Sequence, residues 1–213
     1  MERFYRRRLP HWEIDDAWYY VTFRLHGSIP AVQFERWQVA LERKRQALVR
    51  RYGQLSAALE RALAEERQQA IEDYLDSQYH VRYLAQPAAA EAYVTNLANG
   101  TRQLYQLGPW IVMPNHAHLL LKPQCDERHE PIRLSRIMQH IKGASAVEIN
   151  RALQRTGTFW QHESFDHVIR DAREFQRIAH YIENNPVKAG LCAEPEAWAW
   201  SSASRLLANN ELP

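Results

Sequence analysis

Only two cysteines occur in the 213 residues, Cys125 and Cys192, far apart and outside any CxxC spacing. That excludes a disulfide framework and a thiolate zinc site, and it points to a reducing compartment. An excess of one charge is missing as well. With 27 Lys and Arg against 25 Asp and Glu, bulk charge marks neither a histone-like protein nor an acidic one, so any basic surface must come from local clustering. There is no run of about 18 or more apolar residues. The opening stretch MERFYRRRLPHWEIDD has basic residues with no apolar segment behind them, so a secretory leader and a membrane partner are not expected and the cytoplasm is. A phosphate-cradling P-loop is also absent, which argues against a nucleotide cofactor. Internal repeats and low-complexity segments are lacking too.

At 46% hydrophobic residues, a chain of this length can build one globular domain with a real core and has room for an appended subdomain. Ala17 to Leu25, AWYYVTFRL, is rich in aromatic and β-branched residues and is followed by Gly27, Ser28 and Pro30. It reads as a strand. From Val32 to about Tyr83 the composition turns to Ala, Leu, Glu, Arg and Gln, with Gly53 as the single glycine and no proline. Trp37, Leu41 and Leu48 before Gly53, and Leu55, Leu59 and Leu63 after it, predict a helical hairpin, read as a solvated arm with charged outer faces.

Pro87 predicts a helix start, with Ala88 to Leu97 helical and an end near Asn99 and Gly100. Arg102 to Met113 reads as a strand interrupted near Gly108 and Pro109; Pro114 and Asn115 form a turn, and His116 to Lys122 returns as its antiparallel partner. Leu134, Ile137, Met138 and Ile141 mark a helical face that resumes through Val147 and Ile149. Arg173 to Asn185 is a second helix, with Phe175, Ile178, Ala179 and Ile182 at core spacing and Pro186 ending it. Trp198 and Trp200 are expected to pack back on the body.

Two local patterns carry chemistry. His116 and His118 are two apart on a predicted strand, so both imidazoles point to one face and can meet on one ion. Tyr181 and Asn185 are four apart on a predicted helix, which places a nucleophile and a metal ligand on one side of it. Asn184, three residues after the tyrosine, shares that side nearly as well. Each pattern also has a plain reading: surface or hydrogen-bonded histidines, an amphipathic core tyrosine, and a polar helix end before Pro186.

WIVMPNHAHLLL (Trp110 to Leu121) followed by YIENNPVKAGL (Tyr181 to Leu191) resembles the paired signature of the REP-associated tyrosine transposases, within the HUH superfamily. LSRIMQHIKGASAVEINR (Leu134 to Arg151) and GTFWQHESFDHVIRD (Gly157 to Asp171) resemble the family's intervening segments in the same order. The resemblance implies an α+β fold: a ferredoxin-like antiparallel sheet with packed helices, forming one domain over 1–213 with a helical hairpin inserted at about 34–83. It implies that His116, His118 and Asn185 hold a divalent metal, Mg2+ or Mn2+, and that Tyr181 attacks a phosphodiester of single-stranded or hairpin DNA. The product it implies is a 5′-phosphotyrosine link and a free 3′-hydroxyl, with later rejoining. The general base and the oligomeric state stay open.

The physical logic runs the same way. An ion neutralises the anionic phosphodiester, and a phenol of pKa roughly 10 needs help to lose its proton. Imidazoles alone favour softer ions such as zinc, whereas amide and phosphate oxygens favour Mg2+ or Mn2+. Lys142, Arg170 and Lys188 lie in the family-like segments and are candidate phosphate contacts, and Trp160 is a candidate for stacking on an unpaired base. Arg6, Arg7 and Arg8 form a small basic run that reads equally well as solvated charge. His162, His167 and His180 are given hydrogen-bonding roles rather than ligation. The alternatives are a hairpin-binding protein derived from a transposase that no longer cuts, and a hydrolase in which the histidine pair activates water.

Overall fold

A computed structural model describes residues 2–6, 10–77, 80–101 and 103–204. Arg7, Arg8 and Arg102 lie outside the described residues. In chain order the strands and α-helices are β1 (Glu2–Arg6), β2 (Pro10–Ile14), β3 (Tyr19–Arg24), α1 (Ala31–Tyr52), α2 (Ala57–Ser77), α3 (Pro87–Gly100), β4 (Tyr105–Val112), β5 (His116–Pro123), α4 (Leu134–Ala152), β6 (Phe165–Val168) and α5 (Ala172–Lys188). β1 and β2 pair with each other. The remaining four strands make one antiparallel sheet in the order β4-β5-β3-β6. That order, together with α3 between β3 and β4 and α4 between β5 and β6, is the ferredoxin-like α+β arrangement.

Strand alternation sorts the side chains into two cores. Tyr19, Val21 and Phe23 of β3, Leu25 just past its end, and Ala117, Leu119 and Leu121 of β5 join Tyr93 and Leu97 of α3 and Ile137 and Ile141 of α4. On the opposite face Tyr20, Ile111, Leu120, Ile178 and Ile182 form a smaller cluster beneath α5. Because both faces are covered, β5 is buried continuously from His116 to Leu121. Gly108 and Pro109 coincide with a register shift between Leu107 and Trp110, so the expected interruption is a bulge within a single strand. Trp200 is buried and the Trp198 indole donates to the Val112 carbonyl at 2.9 Å, which ties the C-terminal segment back onto β4.

Several expectations need correction. Pro186 does not end α5; it sits inside the helix, which continues to Lys188. Proline removes one backbone donor, and this close to the helix end that single loss is tolerated. Val147 is exposed, although Ile149 is buried as expected. The hairpin is more than a solvated arm. α1 buries no residue, but α2 buries Leu63, Gln68, Glu72, Leu75 and Asp76, three of them polar. Arg45 pairs with Glu60 at 3.1 Å and Lys44 with Glu66, exposed ion pairs that bridge the two helices. Among the described residues no helix is long and apolar enough to cross a membrane.

Candidate active site

The site forms where α2 and α5 lie over the polar end of the smaller core. His118 stands opposite Thr22 and His116 opposite Arg24 across β5 and β3, so the pleat turns both imidazoles toward these helices. Both rings are fully buried. His116 Nδ1 donates to Asn115 Oδ1 at 2.7 Å, and the Asn115 amide in turn donates to the Leu75 carbonyl at 3.0 Å. Tyr20 Oη donates to Glu72 Oε1 at 2.8 Å and so accepts from His118 Nδ1, 2.9 Å away, with Thr22 Oγ1 at 2.8 Å from the same nitrogen. With both Nδ1 atoms spent as donors, each Nε2 presents a lone pair, and the two Nε2 atoms face one another at 2.9 Å. Two lone pairs at that distance repel unless a cation or a proton lies between them. Burial, then the neighbouring His118 and Lys188 charges, pushes His116 well below the usual imidazole range. Burial and Lys188 bring His118 down to about 3. A proton is therefore the poorer occupant at neutral pH.

α5 is started by Asp171, whose carboxylate accepts from the Glu174 backbone amide at 2.7 Å. Its apolar stripe, Ile178, Ala179 and Ile182, seats it on the sheet and brings Tyr181 against His118, with ring centroids 5.7 Å apart. Asn185 follows one turn later, fully buried, with neither its amide oxygen nor its amide nitrogen hydrogen-bonded. A buried amide left wholly unsatisfied is expensive, on the order of 1–3 kcal/mol, and a bound ion or water at this position would relieve that cost. Asn184, by contrast, donates to the His180 carbonyl at 2.9 Å. Among the described residues no group of three or more His, Cys, Asp or Glu side chains is arranged to hold a metal. Two imidazole nitrogens with the oxygens of Asn185, one turn beyond Tyr181, and of Asp76, 3.7 Å from His116 Nε2, are a donor set that fits a divalent cation.

The hairpin supplies residues that sequence reasoning missed. Glu72 accepts from Tyr181 Oη at 2.9 Å through Oε2, while Oε1 accepts from Tyr20 and from Gln68 Nε2 at 2.9 Å. Asp76 Oδ1 is 3.7 Å from His116 Nε2 and its Oδ2 accepts from Lys188 Nζ at 3.1 Å. Burial raises Asp76 to about 6 against the opposing pull of Lys188. Burial, then Glu72 and Asp76, keeps the Tyr181 phenol protonated, well above its ordinary pKa. Gln68, Glu72 and Asp76 are spaced by four and share one helix face, a stripe that could have been noticed in the sequence.

The expected DNA contacts fare unevenly. Lys188 Nζ reaches Asp73 at 3.0 Å as well as Asp76, and lies 5.9 Å from the Tyr181 ring centroid, so it belongs to the site itself. Arg170 is 61% exposed in its side chain and pairs with the buried Glu174 at 2.6 Å. Lys142 Nζ donates to the carbonyls of Gln161 and His162 at 2.6 Å each, which ties it to the loop before β6. Trp160 is corrected: it is a core residue, 4% exposed, with its indole bonded to Ser145 and Phe23, Tyr93 and Phe159 packed around its ring, which leaves no open face for a base. A cleft of about 580 Å³ opens in front of Tyr181, lined by Arg170, Arg177, His180 and Lys188 among others.

Residues 87–185 match the family model described as Transposase IS200 like. That segment is IS200-transposase-like. It contains His116, His118, Tyr181 and Asn185, and it leaves β3 and the hairpin outside. A putative REP-associated tyrosine transposase of Haemophilus influenzae is 30% identical over 100 residues, covering 44% of this chain and 56% of that protein. A REP-associated tyrosine transposase of Escherichia coli K12 is 24% identical over 110 residues, covering 51% of this chain and 61% of that protein. The chain thus spans less than two thirds of the length of these curated relatives. The structure of a REP-associated tyrosine transposase bound to a REP hairpin superposes over 98% of this chain and 87% of that one, with a TM-score of 0.51 at 16% identity, a likeness of fold. The chain resembles this transposase group in sequence signature and in fold.

Proposed function

We propose that the chain nicks and rejoins single-stranded DNA at hairpin-forming repeats, through a covalent 5′-phosphotyrosine intermediate on Tyr181. The observation that carries this reading is the convergence of a buried imidazole pair with facing Nε2 atoms, a tyrosine packed on one of those rings, and an unsatisfied buried asparagine one turn along the tyrosine's helix. His116, His118 and Asn185 would hold Mg2+ or Mn2+, which supplies charge neutralisation at the phosphate. Tyr181 is the nucleophile. Arg170 and Lys188, at the cleft, neutralise backbone phosphates beside the cut, and Lys142 does so farther along the strand. The relatives' names and the REP hairpin bound in the neighbouring structure support the choice of substrate.

An unpaired strand bends into such a cleft without the free energy of opening a duplex, while a stem supplies shape and backbone contacts. The substrate test compares a hairpin from the host's own repeats, a scrambled single strand and the fully paired duplex at one salt concentration. Cleavage is expected only beside the hairpin stem. Equal cleavage of all three, or preference for the duplex, overturns the substrate assignment.

A further inference from the structure

A phenol attacks phosphorus only as its proton leaves, and an effective base must lie within about 2.6–3.2 Å of the hydroxyl. Among the described residues Tyr181 Oη has one hydrogen bond, to Glu72 Oε2 at 2.9 Å. The other groups nearby are committed elsewhere. Lys188 is an ammonium and cannot accept. Asp76 faces His116 and holds Lys188. His118 spends Nδ1 on Tyr20 and Thr22 and turns Nε2 toward His116.

We propose that Glu72 is the general base for Tyr181, which makes the α1–α2 hairpin a working part of the active site although it lies outside the transposase-like segment. The inference rests on the strand-cleavage reading above. The carboxylate is held ready for proton transfer, because Tyr20 Oη and Gln68 Nε2 bind Oε1 and fix its plane, so Oε2 is left aimed at the phenol. Gln68 sits one turn before Glu72 on α2, so the carboxylate is oriented from its own helix and from β3 together.

In the step, the Tyr181 O–H bond breaks and its proton passes to Glu72 Oε2. The Oη–P bond forms as the P–O3′ bond breaks, and O3′ takes a proton from water, leaving a 3′-hydroxyl. In rejoining, the 3′-hydroxyl attacks phosphorus, its proton goes to water, and the leaving phenolate recovers its proton from Glu72.

The test uses the full chain with a hairpin oligonucleotide, reading the single-turnover rate constant of adduct formation, hairpin affinity and melting temperature side by side. Glu72→Gln keeps the shape and both oxygen-side neighbours but is not a base. It is expected to slow adduct formation by ~10²–10⁴-fold while hairpin affinity is retained. Glu72→Ala is expected to regain part of its rate with added formate, which enters the vacated space, whereas Tyr181→Phe regains none. Wild-type rates in Glu72→Gln overturn the inference alone. So does a loss in which rate, affinity and melting temperature fall together and formate restores nothing. Absence of adduct from the wild type on any hairpin overturns the cleavage reading, and this inference with it.

Discussion

Replacing Lys188 with methionine separates two roles for one cation: a contact to DNA phosphate, and the counter-charge that keeps Asp76 inside the site. Removing one partner of a fully buried ion pair costs about 3–5 kcal/mol. Here Asp76 is 7% exposed in its side chain but Lys188 is 46% exposed, so water replaces part of the lost interaction. The second pair, to Asp73, joins two half-exposed groups and contributes at most about 1 kcal/mol. The expected loss at neutral pH is therefore ~1–3 kcal/mol, or roughly 3–10 °C in melting temperature for a chain of this size. The pH dependence has a definite sign. Asp76 titrates at about 6 in the folded state, above its unfolded value, so acid favours the folded form as pH falls through that value. Without Lys188 the Asp76 carboxyl is pushed up further, so the variant takes up its proton first and its deficit shrinks as pH falls toward about 6, levelling off below that. Thermal melts of both proteins in chelator at about pH 7.5 and about pH 5 measure this. Equal deficits at both pH values, or none at the higher one, refute the electrostatic account. If Lys188 also contacts one phosphate, the slope of log affinity against log salt for the hairpin falls by about 0.7–0.9 in the same variant.

Asn185→Ala is expected to raise the Mg2+ or Mn2+ concentration for half-maximal cleavage by at least about tenfold, and Asn184→Ala to leave it near wild type, as read from metal titrations of cleavage. His116→Ala with His118→Ala is expected to abolish cleavage; full activity of the wild type in excess chelator would contradict the metal assignment. Glu174 is held down to about 2, chiefly by its hydrogen bonds to Arg170, so it stabilises the fold above its ordinary range. That stability is lost as pH falls toward about 2, and Glu174→Gln should flatten this acid limb in pH-dependent melts. Gly100→Ala places a methyl group against the Tyr105 ring, whose hydroxyl holds the Leu97 carbonyl, and is expected to destabilise by ~1–3 kcal/mol in denaturant melts without altering the site.

Much of the scaffold was legible because its signals are local. The aromatic and β-branched run of β3, the helical composition broken at Gly53, the proline at the start of α3 and the turn at Pro114 and Asn115 each specify structure within a few residues. β6 was not foreseen, since Phe165–Val168 is too short to show a period and is a strand because it pairs with β3. The same holds for the buried end of α2. In sequence the spacing by four puts Gln68, Glu72 and Asp76 on one helix face, but nothing local says that this face is buried rather than solvated. What buries Glu72 is contact with Tyr20, 52 residues away, and Tyr181, 109 residues away. Trp160 misled for the converse reason: an aromatic residue within a family-like segment reads as a base platform until the packing of Phe23, Tyr93 and Phe159 around it is known.

The central claim is that Tyr181 becomes joined to DNA. The most direct measurement is mass spectrometry of protease-digested wild-type protein after incubation with a hairpin oligonucleotide and Mn2+. A peptide carrying Tyr181 linked to the 5′-phosphate of the downstream fragment is expected, with a free 3′-hydroxyl on the other fragment and no such peptide from Tyr181→Phe. Cleaved DNA bearing a free 5′-phosphate and no linked peptide, or a link on a different residue, would contradict it.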